Sequence, residues 1–219
     1  MTAMKLLYIE ASPRKENSAS SRVANSFVTA FKAANPGCDV EHLALFDYEL
    51  PSFTGEGANQ KMAQIVDMIG GGSGIEATGE WAGVVQEIER LQSADKVIVS
   101  TPMWNFSIPY RLKHYLDLVC QPGLSFYVNE KGEYIGTITG KPIQFVLASG
   151  SPYKIGFPEE SDGTKADFAR PYLTHIARFI GFEDIRFIKI EPTGMLMPDQ
   201  LEELINTKCE EAAQAAGKF

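Results

Sequence analysis

Cysteine is scarce in this 219-residue chain: Cys38, Cys120 and Cys209 lie far apart and form no CxxC pair. That count excludes a disulfide framework and removes the usual zinc-site pattern. Histidine is equally rare (His42, His114, His175), and no two share ligand spacing on one expected element, so no metal is expected. Basic charge is in deficit, with 20 Lys+Arg against 28 Asp+Glu, a net charge of −8 and no basic stretch. Counterion release therefore cannot drive binding to a phosphate backbone, and neither nucleic acid nor an anionic membrane is an expected partner. Long hydrophobic runs are missing too, since the first residues offer only four consecutive apolar side chains before Glu10. Four are too few for an export signal or a membrane span, which predicts a cytoplasmic protein and makes the sequon Asn105-Phe106-Ser107 a chance match. The GxxxxGK[ST] loop is absent, which excludes the usual nucleoside triphosphate chemistry.

What remains is an ordinary globular composition, 44% hydrophobic and 22% charged, in a length that suits a single domain over residues 1–219. Apolar runs of strand length occur at Lys5–Glu10, 40–45, 96–100, Ile143–Ala148 and Ile185–Ile190. Continuous rather than alternating runs suit strands buried on both faces of a parallel sheet. Helical spacing links Val23, Phe27, Ala30 and Phe31, then Trp81, Val84, Val85, Ile88 and Leu91, then Leu112, Tyr115, Leu116 and Val119. It recurs in Phe168, Tyr172, Leu173, Ile176, Phe179 and Ile180, and in a last helix from about Pro198. Strands alternating with helices predict an α/β doubly wound five-stranded sheet with helices on both faces and the order 2-1-3-4-5. Two insertions depart from that plan. Residues 46–80 form a long connection with a helical piece over 60–69 and a glycine cluster at 70–74, expected to be a mobile linker. Residues 126–138 read as a β-hairpin turning at Glu130-Lys131-Gly132.

In such a sheet, ligands bind outside the carboxyl ends of the strands. After the first strand, Ser12 to Ser21 is hydroxyl-rich and opens directly into a helix. Such a turn serves equally as a helix cap or as a phosphate monoester site built from orphan amides and serine hydroxyls. After the third strand, Pro102-Met103-Trp104-Asn105-Phe106 sets large apolar side chains in a loop stiffened by Pro102 and Pro109. A flat aromatic cofactor needs such apolar faces, with fixed polar groups for its rim. After the fourth strand, Ser149-Gly150-Ser151 is a small-residue turn that lets backbone approach a ligand.

With the motif Pro102-Met103-Trp104-Asn105-Phe106-Ser107-Ile108-Pro109 followed by Leu112-Lys113-His114-Tyr115-Leu116-Asp117, the chain resembles the FMN-dependent NADH-azoreductases, in the NAD(P)H:quinone oxidoreductase branch of the flavodoxin-like fold. The resemblance runs from about Met4 to Ala216. It implies bound FMN, its phosphate on Ser12, Ser18, Ser20 and backbone at Ala19, its ring on Pro102, Met103, Trp104, Asn105 and Phe106, and its other side on Ser149, Gly150 and Ser151. It implies NADH or NADPH as donor, a quinone or azo compound as acceptor, and a homodimer. Phe126 and Phe157 are the candidates for the substrate pocket, and with Phe53 for an exposed interface. The family often carries Tyr at Trp104, a polar residue at Ala19, and an Arg with two glycines at 149–151; the last departure removes a positive charge beside the site. No catalytic residue is assigned, because the flavin carries the hydride. The alternative is a flavodoxin-type electron carrier without a small substrate of its own.

Overall fold

The computed structural model describes residues 3–152 and 166–219. Five parallel strands form the central sheet: β1 (Lys5–Glu10), β2 (Asp39–Ala44), β3 (Lys96–Pro102), then two further on, β6 (Ile143–Ala148) and β7 (Ile185–Ile190), in the order β2-β1-β3-β6-β7. Counting only sheet strands, this is the expected 2-1-3-4-5. The register runs Leu6↔Val40 and Leu6↔Lys96 on either side of β1, then Val97↔Ile143 and Ile143↔Ile185. Alternation along each strand divides the side chains between two cores. Leu7, Ile9, Val97, Val99, Phe145 and Leu147 face one, with α3 (Gly79–Ser93), α4 (Tyr110–Val119) and α5 (Ala169–Ile180). Leu6, Tyr8, Ile98 and Val146 face the other, with α1 (Ala19–Ala34) and α6 (Pro198–Ala216). Among the described residues, no helix is long and apolar enough to cross a membrane.

Three stretches differ from the sequence expectation. Helix α2 runs Gly55–Ile69, not 60–69. Gly55 and Gly57 obscured its first turn, which is fixed from outside: the amides of Thr54 and Gly57 and the Thr54 hydroxyl all donate to the Glu80 carboxylate at 2.8–2.9 Å. The glycine cluster is tied down, with Gly74 N donating to Asp67 Oδ2 and Ile75 N to Gln64 Oε1, both at 2.8 Å. Phe53, expected to be exposed, is half-buried against the first core.

The hairpin forms as expected, β4 (Phe126–Val128) antiparallel to β5 (Tyr134–Gly136). Asn129 Oδ1 accepts from the amides of Lys131 and Glu133 at 3.0 Å, closing the turn. The hairpin docks on the carboxyl end of α5, where Ile138 N donates to Ile180 O at 2.9 Å. Gly136 approaches so closely that a Cβ there would lie 2.1 Å from Gly181 N. Because α5 ends where β7 begins, the hairpin sits at the amino edge of the sheet.

Candidate functional site

At the carboxyl edge, the first loop leaves β1 through Ser12 and a short 3₁₀ turn (Lys15–Asn17) before α1 starts. Ser18 is the N-cap, its Oγ accepting from Ser21 N at 3.3 Å and lying 3.1 Å from Ser20 Oγ. Ser12 Oγ accepts from Arg14 N at 3.4 Å. The cap satisfies one of the first-turn donors of α1, and helix geometry gives the amides of Ala19 and Ser20 no intrahelical acceptor. A 16-residue helix also concentrates positive dipole here.

The third loop starts where Met103 N donates to Ala148 O at 2.7 Å. Trp104 and Ser107 then exchange two backbone hydrogen bonds, 2.8 and 3.0 Å, around Asn105 and Phe106. Those two central residues have φ of +47° and +69°. The left-handed region suits Asn but strains Phe, and such strain persists only where surrounding contacts over-determine it. Phe106 O accepts from Phe168 N at 2.9 Å. The Trp104 ring lies 5.7 Å from Phe46 and 6.3 Å from Tyr110, so three aromatics brace one another beside the turn.

The fourth loop is pinned by the segment after β7. Ser149 Oγ contacts Ser151 O at 3.0 Å and Glu191 Oε2 at 3.1 Å. Thr193 N donates to Ser149 O at 2.9 Å, and Gly194 N to Gly150 O at 3.0 Å.

These loops enclose a cavity of about 310 Å³. Of the expected site residues, Ser12, Ser18, Ala19, Pro102, Met103, Trp104 and Gly150 line it together. Ser20 is wholly buried behind Ser18, and Ser149 is buried as a support for its turn. Asn105 and Phe106 form the exposed tip of the aromatic turn, and Ser151 is half-buried beside Ser149. Phe126 is elsewhere: packed 4.3 Å from Phe179 at the amino edge, it lines a separate apolar groove of about 700 Å³ and cannot serve this chain's own cavity. Phe157 lies outside the described residues.

Several lining residues were missed. Thr193 comes from the β7–α6 connection and Leu201, Glu202 and Ile205 from the first turns of α6, and Arg14, Asn17 and Arg22 from the first loop and helix. The fifth strand ends on the same edge as the others, and that signal pointed to its loop. Two cations, Arg14 and Arg22, face two carboxylates, Glu16 and Glu202, around the cavity. At the end of β1, burial pushes the Glu10 carboxyl up, but the His42 hydrogen bond at 3.0 Å, the Ser21 hydroxyl and the His42 charge together outweigh it and hold the group below the usual glutamate value. The His42 ring stacks on Tyr8 at 4.6 Å, and the Tyr8 hydroxyl, raised by its own burial, lies 3.1 Å from Ser100 Oγ.

Residues 4–216 match the family model described as flavodoxin-like fold. The FMN-dependent NADH:quinone oxidoreductase of Nitratidesulfovibrio vulgaris (strain DP4) is 41% identical over 214 residues, 98% of this chain and 99% of that protein. The protein of the same name from Desulfotalea psychrophila is 40% identical over 191 residues, 86% of this chain and 85% of its own length. Among solved structures, an azoreductase from Bacillus anthracis str. Sterne superposes with a TM-score of 0.81 at 28% identity, covering 99% of this chain and all of that one. With these relatives and this sheet order, the chain belongs to the flavodoxin-like family that includes the FMN-dependent NADH:quinone oxidoreductases and azoreductases.

Proposed function

We propose that this chain is an FMN-dependent oxidoreductase that takes hydride from NADH or NADPH and reduces a quinone or azo compound, acting as a cytoplasmic homodimer. One observation carries the reading: the serine-rich start of α1 and the aromatic turn after β3 open into the same cavity, of about 310 Å³. That volume lies at the lower end of the range for small-molecule sites, about 300 to 1,000 Å³. The donor set fits a phosphate monoester at one end, since hydroxyls, orphan amides and a helix N-terminus converge there. Apolar side chains fit a flat ring at the other.

In this reading Ser12, Ser18 and the amide of Ala19 hold the phosphate, with Ser20 fixing the Ser18 hydroxyl from behind. Pro102, Met103 and Trp104 support the ring, Asn105 and the neighbouring backbone reach its rim, and Ser149-Gly150-Ser151 closes the far side. Bound FMN supplies an acceptor and donor of hydride, so the protein needs to bind, orient and exclude water rather than provide a nucleophile. Phe46, Trp104 and Tyr110 form an aromatic wall suited to conjugated substrates. Support for a dimer comes from the apolar surface around the amino-edge groove, where Ile69 is 82% and Tyr134 66% exposed. In a dimer Phe126 can serve only across an interface. Free Cys38, Cys120 and Cys209 fit a reducing compartment.

The test is an anaerobic titration of purified holoprotein with NADH, followed by its visible spectrum. The expected result is one FMN per chain and a direct two-electron bleach, reversed by adding a quinone. Stepwise one-electron reduction with no turnover of quinone or azo dye would favour the electron carrier instead.

A further inference from the structure

We propose that the Arg22–Glu202 ion pair is an exchangeable counter-charge for the phosphate end of the cavity: Arg22 turns part of its guanidinium to a bound phosphate monoester, and Glu202 competes for it. The inference rests on the FMN reading above and concerns what sets the affinity. Arg22 stands one helical turn beyond Ser18 on α1, Glu202 near the start of α6, and both line the cavity. Arg22 Nη1 lies 2.8 Å from Glu202 Oε2, and Nη2 bonds Oε1, giving a bidentate pair that bridges the two helices at the cavity wall.

Charge accounting makes this pair more than a staple. The lining carries Arg14 and Arg22 against Glu16 and Glu202, so its formal charge is zero. A phosphate monoester brings about −1.5 to −2 near neutral pH. With Arg22 wholly committed to Glu202, the phosphate would face a carboxylate at its back. A guanidinium has five N–H donors in a planar fork, enough to serve a carboxylate on one edge and a phosphate on another. The side chains of Arg22 and Glu202 are 33% and 52% exposed, so the fork can turn without breaking packing. Such an exposed pair contributes at most about 1 kcal/mol to stability, which leaves its charge free to be spent on a ligand.

The two partners then act in opposite directions. Removing Glu202 releases Arg22 to the phosphate; removing Arg22 leaves Glu202 unopposed beside it. A helix staple would instead make both losses alike and indifferent to phosphate.

Apoprotein, freed of flavin, is titrated with FMN and separately with riboflavin, which lacks the phosphate, by quenching of flavin fluorescence at low and high salt. Glu202→Gln is expected to tighten FMN binding about 3- to 10-fold and Arg22→Gln to weaken it about 10-fold. Arg22→Lys should recover part of that loss, and riboflavin affinity should stay within about twofold throughout. The FMN constant should also lose part of its salt dependence in Arg22→Gln. Melting temperatures of the flavin-free variants identify any fold damage, and the near-isosteric Glu202→Gln at a half-exposed position keeps the test decisive if Arg22→Gln folds poorly. FMN binding that is unchanged in Glu202→Gln, or riboflavin shifting in parallel with FMN, overturns this inference alone. Wild-type protein that binds neither flavin overturns the flavin reading and this inference with it.

Discussion

Trp104 is the residue at which packing and binding separate most cleanly. It is 36% exposed, and its ring neighbours are Phe46 and Tyr110, so its burial is partial. Truncation should therefore cost the apoprotein little, whereas a ring stacked on it would lose an aromatic partner worth about 1 kcal/mol beyond area. The expected outcome for Trp104→Ala is a fall in FMN affinity of about 5-fold or more, with a smaller loss of apoprotein stability. Equal losses in apo and holo melting curves would make Trp104 ordinary packing. Its position was legible, because two prolines and three large apolar side chains sit where the third strand ends. Its braces were not. Phe46 and Tyr110 are distant from Trp104 in sequence or belong to the next helix, and only the fold brings the rings within 7 Å.

Strands and helices with an unbroken apolar signal could be read directly: Ile143–Ala148 is buried throughout, and its expected bounds match. Edge strand β2 shows only one buried position, Leu43, so its alternation was weak and its bounds shifted by one residue. The start of α2 was hidden for a different reason, since its glycine-rich first turn depends on the carboxylate of Glu80 from the next helix. The joint between β1 and β2 carries a similar long-range bond. Glu10 had no visible partner in the sequence, but parallel pairing brings Tyr8 opposite His42, whose Nε2 reaches Glu10. A carboxyl held below its ordinary value of 4.5 contributes stability above that value, and the contribution is lost as pH falls through the folded-state value. Glu10→Gln should thus cost about 1 kcal/mol near neutral pH, discounted because the imidazole is half-exposed, and nothing once both carboxyl states are protonated. Melting temperatures of wild type and variant from neutral pH into acid should converge on the acid side. A gap that persists or widens in acid would rule out the ion pair as the cause.

At the scale of the whole molecule, the two edges of the sheet divide the work. The carboxyl edge gathers four loops from β1, β3, β6 and β7 around one cavity, while the amino edge presents the hairpin and an apolar groove. Parallel strands alone enforce this division, because every strand ends on the same side. Among the described residues, one cavity joins the serine turn to the aromatic turn, and the chain shows no recognisable second nucleotide-binding fold, since the glycine pattern at 72–77 follows a helix rather than a strand. With FMN held there, a nicotinamide donor and a conjugated acceptor would both reach it through this one cavity, past Trp104 and the aromatics beside it. Two flat molecules would not fit over one ring together, so the donor would leave before the acceptor binds. Double-reciprocal plots against NADH at several quinone concentrations should be parallel, and high quinone should inhibit by occupying the oxidised enzyme that NADH needs. Small polar acceptors should be poorer substrates than flat aromatic ones, since the wall they meet is apolar. Intersecting plots would mean that donor and acceptor are bound at once, and the single shared face would have to be abandoned even with FMN bound at the serine turn.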